Sequence, residues 1–246
     1  MIKYPETCPV LNVNVAVTNM EKTISFLTDN LESLRGEYIC VSNSHTVVTA
    51  CDDPSYMNVQ NSSAMVLPDG KPLSVTQRKK GFKSAEKVSG PDVFAILTSE
   101  KYNQYRHYFY GSTDETLNAL RENLLKKNPG IQIAGMYSPP FRPLTDDKDA
   151  EIVSKICEAN PDYIWIGLGA PKQEIWMYDH VKKLNGVMLG VGAAFDFHAG
   201  TVKRAPLFMQ KIGLEWLHRL FQDPKRLFKR YLITNSKYLF YNLIGK

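Results

Sequence analysis

Residues 163–176, YIWIGLGAPKQEIW, contain the turn that decides the fold. The apolar run 163–166 predicts a buried strand, and the apolar spacing over 173–183 predicts a helix. A strand that enters a helix through a glycine turn directs unpaired backbone N–H groups and the helix dipole towards one point, which suits an anion. A tight turn with no ligand fits the same residues, since glycines serve turns as readily as phosphates. The anion-binding alternative makes four residues candidate substrate contacts: Gly167, Gly169, Lys172 and Gln173. Glu174 is a fifth candidate contact, but a cap of the first helical turn fits it as well, and the same alternative applies to Asp196.

The alternation of strand and helix signals extends along the chain on both sides of this turn. Strand-like runs lie at 12–17, 45–50, 63–68, 108–112, 131–137, 162–169 and 186–197. Helical runs lie at 19–34, 113–127, 146–159 and 172–183. Strands separated by helices pair in parallel through right-handed crossovers, so we predict a helix-flanked, mainly parallel α/β sheet of the Rossmann-like kind. Ligands bind such sheets beyond the carboxyl ends of the strands, which makes the turns after the strands the candidate site.

The composition excludes several protein classes. The four cysteines are far apart and form no CxxC, which favours reduced thiols in a cytosolic protein. The five histidines have no metal-binding spacing, so we expect no protein-ligated zinc. We also expect neither a signal peptide nor a spanning helix, because the sequence has no basic start before an apolar stretch and no apolar run of about 18 residues.

Charge divides the chain near residue 200. From residue 201 onward ten Lys/Arg stand against two Asp/Glu, a net of +8, whereas the first 200 residues carry a net of −3. We therefore predict a catalytic core over 1–200 and a basic C-terminal appendage over 201–246. At helical spacing, residues 224–246 have an apolar, aromatic side flanked by cations, which is typical of a helix on an anionic membrane surface. A helix docked on the core, or on a neighbouring subunit of a homo-oligomer, fits the same pattern.

Seven sequence blocks stand in an informative order. They are MVLPDGKPLS (65–74), KVSGPDVF (87–94), YFYGSTDET (108–116), PPFRPLTDD (139–147), GLGAPKQEIWM (167–177), GVGAAFDFHAGTVKRAP (190–206) and GLEWLHRLFQDPKRLFKRYL (213–232). In this order they resemble the WecG/TagA/CpsF family of bacterial glycosyltransferases. The resemblance implies an α/β core that transfers a sugar, with inversion, from a UDP-sugar to a polyprenyl-diphosphate-linked saccharide. It also implies a cytoplasmic protein, peripheral on the inner face of the membrane through its basic appendage.

Inversion in one displacement requires a base that takes the proton of the acceptor hydroxyl. Asp69, in the turn Pro68-Asp69-Gly70, corresponds to the family's proposed catalytic aspartate, although such a turn is also a favoured structural sequence. Thr49, at the end of the predicted strand over 45–50, resembles the threonine of the family's Thr-x-Asn motif, which helps to hold the donor or acceptor. Cys51 replaces the asparagine of that motif, and Lys71-Pro72 departs from the common pattern after the aspartate. These two departures leave the donor sugar open.

The departing UDP carries diphosphate charge that must be stabilised in the transition state. Guanidinium groups match phosphates with paired donors, which makes four arginines of the tail candidates: Arg204, Arg219, Arg226 and Arg230. Further candidate substrate contacts in the predicted turns are Gly111, Arg142 and Asp196. Residues 147–149, Asp-Lys-Asp, have the form of a metal-binding motif, but they open a predicted helix, where acidic residues favour the dipole. We therefore expect no metal and no other cofactor.

Two other function classes each fit part of the sequence. The glycines at 167 and 169 suit a nicotinamide-dependent enzyme, but Lys172 occupies the place of the third glycine of GxGxxG. The basic, aromatic tail suits a nucleic-acid-binding protein, but no nucleic-acid motif accompanies it. The sequence favours the UDP-sugar transferase, with the membrane and the lipid-linked acceptor as partners and without nucleic acid.

Overall fold

The structure is a computed structural model that describes residues 2–245, apart from the side chains of Lys211 and Arg226. Its eight strands within this range are β1 Thr7–Val10, β2 Val13–Ala16, β3 Tyr38–Ser42, β4 Met65–Pro68, β5 Arg106–Gly111, β6 Gln132–Tyr137, β7 Tyr163–Gly167 and β8 Val187–Gly190. The helices before β5 are α1 Met20–Asp29, α2 Leu31–Leu34, α3 Ser44–Asp52, α4 Pro54–Asn61, α5 Lys71–Lys79 and α6 Gly90–Leu97, followed by a short 3-10 helix, Glu100–Tyr102. The later helices are α7 Asp114–Lys127, α8 Asp146–Glu158, α9 Lys172–Asp179, α10 Ala194–Ala199, α11 Leu207–Ile212, α12 Glu215–Gln222 and α13 Pro224–Leu243.

The strands form one sheet in the order β1-β2-β4-β3-β8-β7-β5-β6. Only β1 and β2 pair antiparallel, and every other neighbouring pair is parallel. Parallel neighbours need crossover connections, which the helices between the strands supply. The predicted helix-flanked, mainly parallel α/β sheet is confirmed.

Apolar side chains of the central strands alternate between two cores. On β3, Ile39 and Val41 face one core together with residues of α1, α6, α7 and α10, whereas Tyr38 and Cys40 face the other together with residues of α3, α4, α8 and α9. The helix after β3 and the helix after β8 thus cover opposite faces, although β3 and β8 are neighbours. Such a switch point leaves a crevice beyond the carboxyl ends of the two strands, where α/β sheets bind ligands.

The predicted strand over 45–50 is wrong, because this segment lies in α3. Asn43 ends the preceding loop with a capping box: its side chain accepts from the backbone of His45 and Thr46, and the Thr46 hydroxyl accepts from the Asn43 N–H. Val47 and Val48 are then buried in the core that α3 shares with the sheet. The cap and the burial outweigh the strand preference of the β-branched residues. The true strand is β3, which the sequence analysis missed, as it missed β1.

The predicted strand over 186–197 is only half correct. β8 ends at Gly190, and the backbone turns at Gly192 with a φ of +53° before α10 begins. A left-handed φ favours glycine, so this position breaks the strand although its neighbours are apolar.

Residues 201–245 contain three helices, which confirms the predicted helical character of the appendage. One side of α13 packs on α3 and the core through Thr234 and Tyr238, both of which are buried. The Tyr238 hydroxyl lies 2.8 Å from that of Thr76, and Lys237 Nζ lies 2.6 Å from Asp52 Oδ2. Docking on the core, one of the alternatives for this helix, therefore accounts for that side. The division into a core and a separate appendage stays a prediction.

The opposite side of α13 is apolar and exposed. Phe228, Leu232, Leu239, Phe240 and Leu243 are each more than half exposed. Within residues 2–245, no helix combines the length and the apolarity needed to cross a bilayer.

Candidate active site

The carboxyl ends of β3 and β4 lie side by side and bring Asp69 to the edge of the sheet. The Asp69 N–H donates to the Ser42 carbonyl at 2.7 Å, which ties the end of β4 to the end of β3. Gly70 follows with a φ of +101°, which turns the chain directly into α5. The Asp69 carboxyl group is half-buried, and no described side chain makes a hydrogen bond to it.

Burial raises the pKa of Asp69 from its usual 3.8 to about 6. The charges of Lys87 and Arg219 lower this pKa, and those of Glu215 and Asp92 raise it. A carboxylate with this pKa is ionised at neutral pH but is a stronger base than an ordinary aspartate. The position of Asp69 at a strand end therefore has the chemistry that a general base requires.

An ion-pair network stands beside Asp69 and joins the tail to the core. Lys87 Nζ lies 2.8 Å from Glu215 Oε2, and Arg204 lies 3.1 Å from the other oxygen of the same carboxylate. Arg204 also pairs with Asp92 at 2.6 Å, and Ser89 donates to Asp92. Arg204, a predicted phosphate ligand, thus has its donors occupied by carboxylates in this structure.

Two predicted ligand glycines serve the packing of the sheet. A Cβ on Gly111 would lie 2.6 Å from the Gly167 backbone, and a Cβ on Gly167 would lie 2.7 Å from the Phe195 ring. These glycines let β5, β7 and α10 approach closely. Gly169 differs, because a Cβ there would meet nothing within 4 Å and its φ is +78°. The space beside its Cα is open at the turn before α9, which leaves room for a ligand.

Gln173 and Glu174, both predicted substrate contacts, point inward from the first turn of α9. Gln173 is 4% exposed and Glu174 is 0% exposed, so in this structure neither side chain lines an open surface. The Gln173 side-chain oxygen accepts from the backbone N–H groups of Gly169 at 3.2 Å and Gly192 at 3.1 Å. Burial raises the pKa of Glu174 to about 6, against hydrogen bonds from Gln173, its own backbone and Tyr56 that lower it. Gln173 thus joins the turns after β7 and β8 by hydrogen bonds, and Glu174 accepts a hydrogen bond from the Gln173 amide.

The other predicted cations of the site lie on α9 and in the tail. Lys172 is exposed in the first turn of α9. The positive charge of Arg219 lowers the pKa of Asp69, and the Arg219 guanidinium lies 5.6 Å from the centre of the Phe197 ring. Burial and the positive charge of Arg230 lower the pKa of His45 at the start of α3. The buried Nε of Arg230 has no hydrogen-bond partner within the described part of the chain. The side chain of Arg226 lies outside the described residues.

Three predicted site residues remain to be located, and one of them does not have the expected position. Thr49 is not at a strand end: it lies inside α3, where its hydroxyl donates to the His45 carbonyl at 2.9 Å. The end of β3 is occupied by Ser42, which the sequence analysis did not select. Arg142 is exposed on the loop after β6, and Asp196 lies half-buried in the first turn of α10.

The Asp-Lys-Asp segment 147–149 takes part in protein contacts. The Asp149 carboxylate lies 2.9 Å from Nε2 of His180, and Lys148 pairs with Glu151 at 2.7 Å. Over residues 2–245, no group of three His, Cys, Asp or Glu side chains is placed to hold a metal ion.

The site contains residues that sequence reasoning missed. Lys87 and Asp92 lie in the block KVSGPDVF (87–94), and Glu215 lies in GLEWLH (213–218), yet none was selected. The sequence did contain a signal for them, because all three lie in the seven blocks on which the family resemblance rests. Their proximity to Asp69 depends on contacts between segments more than 100 residues apart, such as that of Lys87 with Glu215.

Comparisons with known proteins place the chain among glycosyltransferases of one family. Residues 8–246 match the profile of the "Glycosyl transferase WecG/TagA/CpsF family". A protein of Bacillus spizizenii is 30% identical over 238 residues, 95% of this chain and 90% of its own length. A Bacillus subtilis protein is 30% identical over 90% of this chain and 86% of its own, and one of Staphylococcus aureus strain MW2 is 27% identical over 87% and 83%. All three bear the name N-acetylglucosaminyldiphosphoundecaprenol N-acetyl-beta-D-mannosaminyltransferase.

Proposed function

The chain belongs to the glycosyl transferase WecG/TagA/CpsF family and is a glycosyltransferase, and we propose that it moves a sugar from a UDP-sugar to a polyprenyl-diphosphate-linked saccharide with inversion and without a metal ion. The relatives' names give N-acetylglucosaminyldiphosphoundecaprenol as their acceptor and N-acetylmannosamine as their transferred sugar. The UDP derivative of N-acetylmannosamine as donor, with N-acetylglucosaminyldiphosphoundecaprenol as acceptor, is therefore the first pair to test. A β product formed from an α-linked nucleotide sugar requires one inversion.

The observation that carries the proposal is Asp69, a half-buried carboxylate of raised pKa at the carboxyl end of β4. Its carboxylate takes the proton of the acceptor hydroxyl as that oxygen attacks the anomeric carbon. The bond from this carbon to the UDP oxygen breaks on the opposite face, and UDP leaves with the electron pair. Thr49 stays a predicted contact to donor or acceptor, without the strand-end position that first supported it.

The charge that develops on UDP needs cations and N–H donors. Lys172 is exposed in the first turn of α9, and the open space beside Gly169 leaves room for a ligand there, although the Gly169 N–H itself donates to Gln173. Arg219 and Arg230 bring guanidinium groups from the tail to the ends of β4 and β3. This supply of positive charge supports stabilisation of the diphosphate by the protein itself.

The outer side of α13 supports a peripheral position on the inner face of the cytoplasmic membrane. Exposed Phe228, Leu232 and Leu239 offer apolar contact, and exposed Lys225 and Lys229 offer attraction to anionic lipid. The inner side of the same helix reaches the core beside the candidate site. An acceptor anchored in the bilayer would therefore meet the site from the tail side.

The proposed function is tested by transfer assays on the full chain. Purified protein is given a panel of UDP-sugars, with EDTA present, with and without a short-chain prenyl-diphosphate-N-acetylglucosamine acceptor. We expect acceptor-dependent UDP release from one donor, a β-linked product, and a loss of about 100- to 10,000-fold in Asp69→Asn. Asp147→Asn, a change of the same kind at an exposed position, serves as the matched control and should retain full activity. A requirement for added divalent metal, or an active Asp69→Asn variant, would refute the corresponding part of the proposal.

A further inference from the structure

A chain of buried polar side chains runs through the core from the end of β3 to α9. Ser42 donates to Gln60 at 2.6 Å, and the Gln60 amide donates to the Tyr56 hydroxyl at 2.8 Å. Tyr56 donates to one oxygen of Glu174 at 3.1 Å, and the Gln173 amide donates to the other at 2.8 Å. All five side chains are between 0% and 4% exposed. Buried polar groups at this depth must be paired, so the direction of each hydrogen bond is constrained.

The far end of this chain lies on two turns of the candidate site. The side-chain oxygen of Gln173 accepts from Gly169, in the turn after β7, and from Gly192, in the turn after β8. Both partners are backbone N–H donors, so the atom that faces them must be the oxygen of the amide. The NH₂ group of Gln173 must then face Glu174.

Glu174 is the acceptor on which both ends of the chain converge. The Tyr56 hydroxyl already accepts a hydrogen bond from Gln60, so its own proton is directed to Glu174. Gln173 supplies a second donor to the same carboxylate. Only a group with two acceptor oxygens satisfies both donors, whereas an amide at this position would oppose one donor with another.

We propose that Glu174 is a positioning residue: it fixes the orientation of the Gln173 amide and so holds the turns after β7 and β8 together. The nucleotide part of this inference rests on the proposed function, in which these turns receive UDP. Glu174 does not touch substrate, because its side chain is fully buried. It acts through Gln173, whose oxygen sets the separation of the Gly169 and Gly192 N–H groups.

An exchange of the two side chains tests this role. In E174Q one of the two donors loses its acceptor, and in Q173E two carboxylates face each other in the core. In the double variant Q173E/E174Q the new carboxylate at 173 accepts from both glycines and from the amide at 174, whose oxygen accepts from Tyr56. Every donor is paired again. The readouts are hydrogen exchange of the Gly169 and Gly192 amides by NMR and the affinity for UDP by calorimetry, both on the full chain.

We expect roughly 10- to 100-fold faster exchange at both glycines in each single variant and recovery in the double variant. Y56F, which leaves the Gln173 bond to Glu174 intact, should lose less protection than E174Q. Unchanged exchange in E174Q, or a double variant no better than the single ones, would overturn the inference. Were E174Q not to fold, the double variant decides, since it must fold with both amides protected. If protection follows this pattern while UDP affinity never changes, the positioning role stands and the placement of UDP at these turns is wrong.

Discussion

The two sides of the candidate site are built in different ways. The turns after β7 and β8 are held by close glycine contacts and by hydrogen bonds that end on one buried carboxylate, Glu174. The side around Asp69 is held by ion pairs between half-buried groups, with Arg204 and Glu215 contributed by the tail. Packing and hydrogen bonds fix the geometry of the turns after β7 and β8, whereas the charged groups set the electrostatic environment of Asp69. A displacement reaction needs both, because the leaving group must be placed and the base must be tuned.

The largest effect should come from Gly111, where β5 meets β7. In Gly111→Ala the new Cβ would lie 2.6 Å from the Gly167 backbone at a φ of +128°, so both overpacking and backbone strain oppose it. We expect the free energy of unfolding to fall by about 3–5 kcal/mol. Urea denaturation followed by circular dichroism measures this change.

Gly169→Ala is the matched control for that prediction. This glycine also has a positive φ, +78°, but a Cβ there meets nothing within 4 Å. The cost should be that of strain alone, about 1–2 kcal/mol. Equal losses in the two variants would mean that close packing of β5 on β7 does not hold this side of the site.

The same contrast explains what the sequence could predict. The strand, turn and helix around 163–176 are contiguous, so local patterns were sufficient to identify them. The segment 45–50 was assigned wrongly because β-branched residues favour strands locally, whereas the Asn43 cap and burial against the sheet decide for a helix. The partners of Asp69 were missed for a related reason: Lys87 and Glu215 meet only in the folded chain. Local sequence predicts the strand, turn and helix of the first side, whereas the contacts that hold either side, such as Gly111 with Gly167 and Lys87 with Glu215, form only in the folded chain.

A smaller loss is expected when the charged side is broken at Arg204. In Arg204→Met two carboxylates lose a partner, but Glu215 keeps Lys87 and Asp92 keeps Ser89. The side chain of Asp92 is 40% exposed, so solvent screens part of the lost attraction. We expect the free energy of unfolding to fall by about 1–2 kcal/mol, less at high salt.

Lys148→Met removes an ion pair of similar length at the surface, where the side chains of Lys148 and Glu151 are 44% and 46% exposed. Because solvent screens both groups, this loss should lie within the error of the denaturation measurement. A cost for Arg204→Met no greater than that of this control would show that the network beside Asp69 contributes charge without holding the tail on the core.

The finest test uses pH, because it measures the tuning of Asp69 directly. A general base works as the carboxylate, so kcat/KM should be constant above the pKa of about 6 and fall about tenfold per pH unit below it.

Lys87 lowers this pKa, since its positive charge favours the ionised form. In Lys87→Met that charge is lost and Glu215 keeps only Arg204 of its two partners. Both changes raise the pKa of Asp69, so the midpoint of the profile should move to higher pH. Lys148→Met should leave the midpoint in place. The measured quantity is the midpoint and not the rate, which keeps the result independent of any contact between Lys87 and substrate. A midpoint near 3.8 in the unmodified protein, or a shift to lower pH in Lys87→Met, would mean that burial and the charged side do not set the basicity of Asp69.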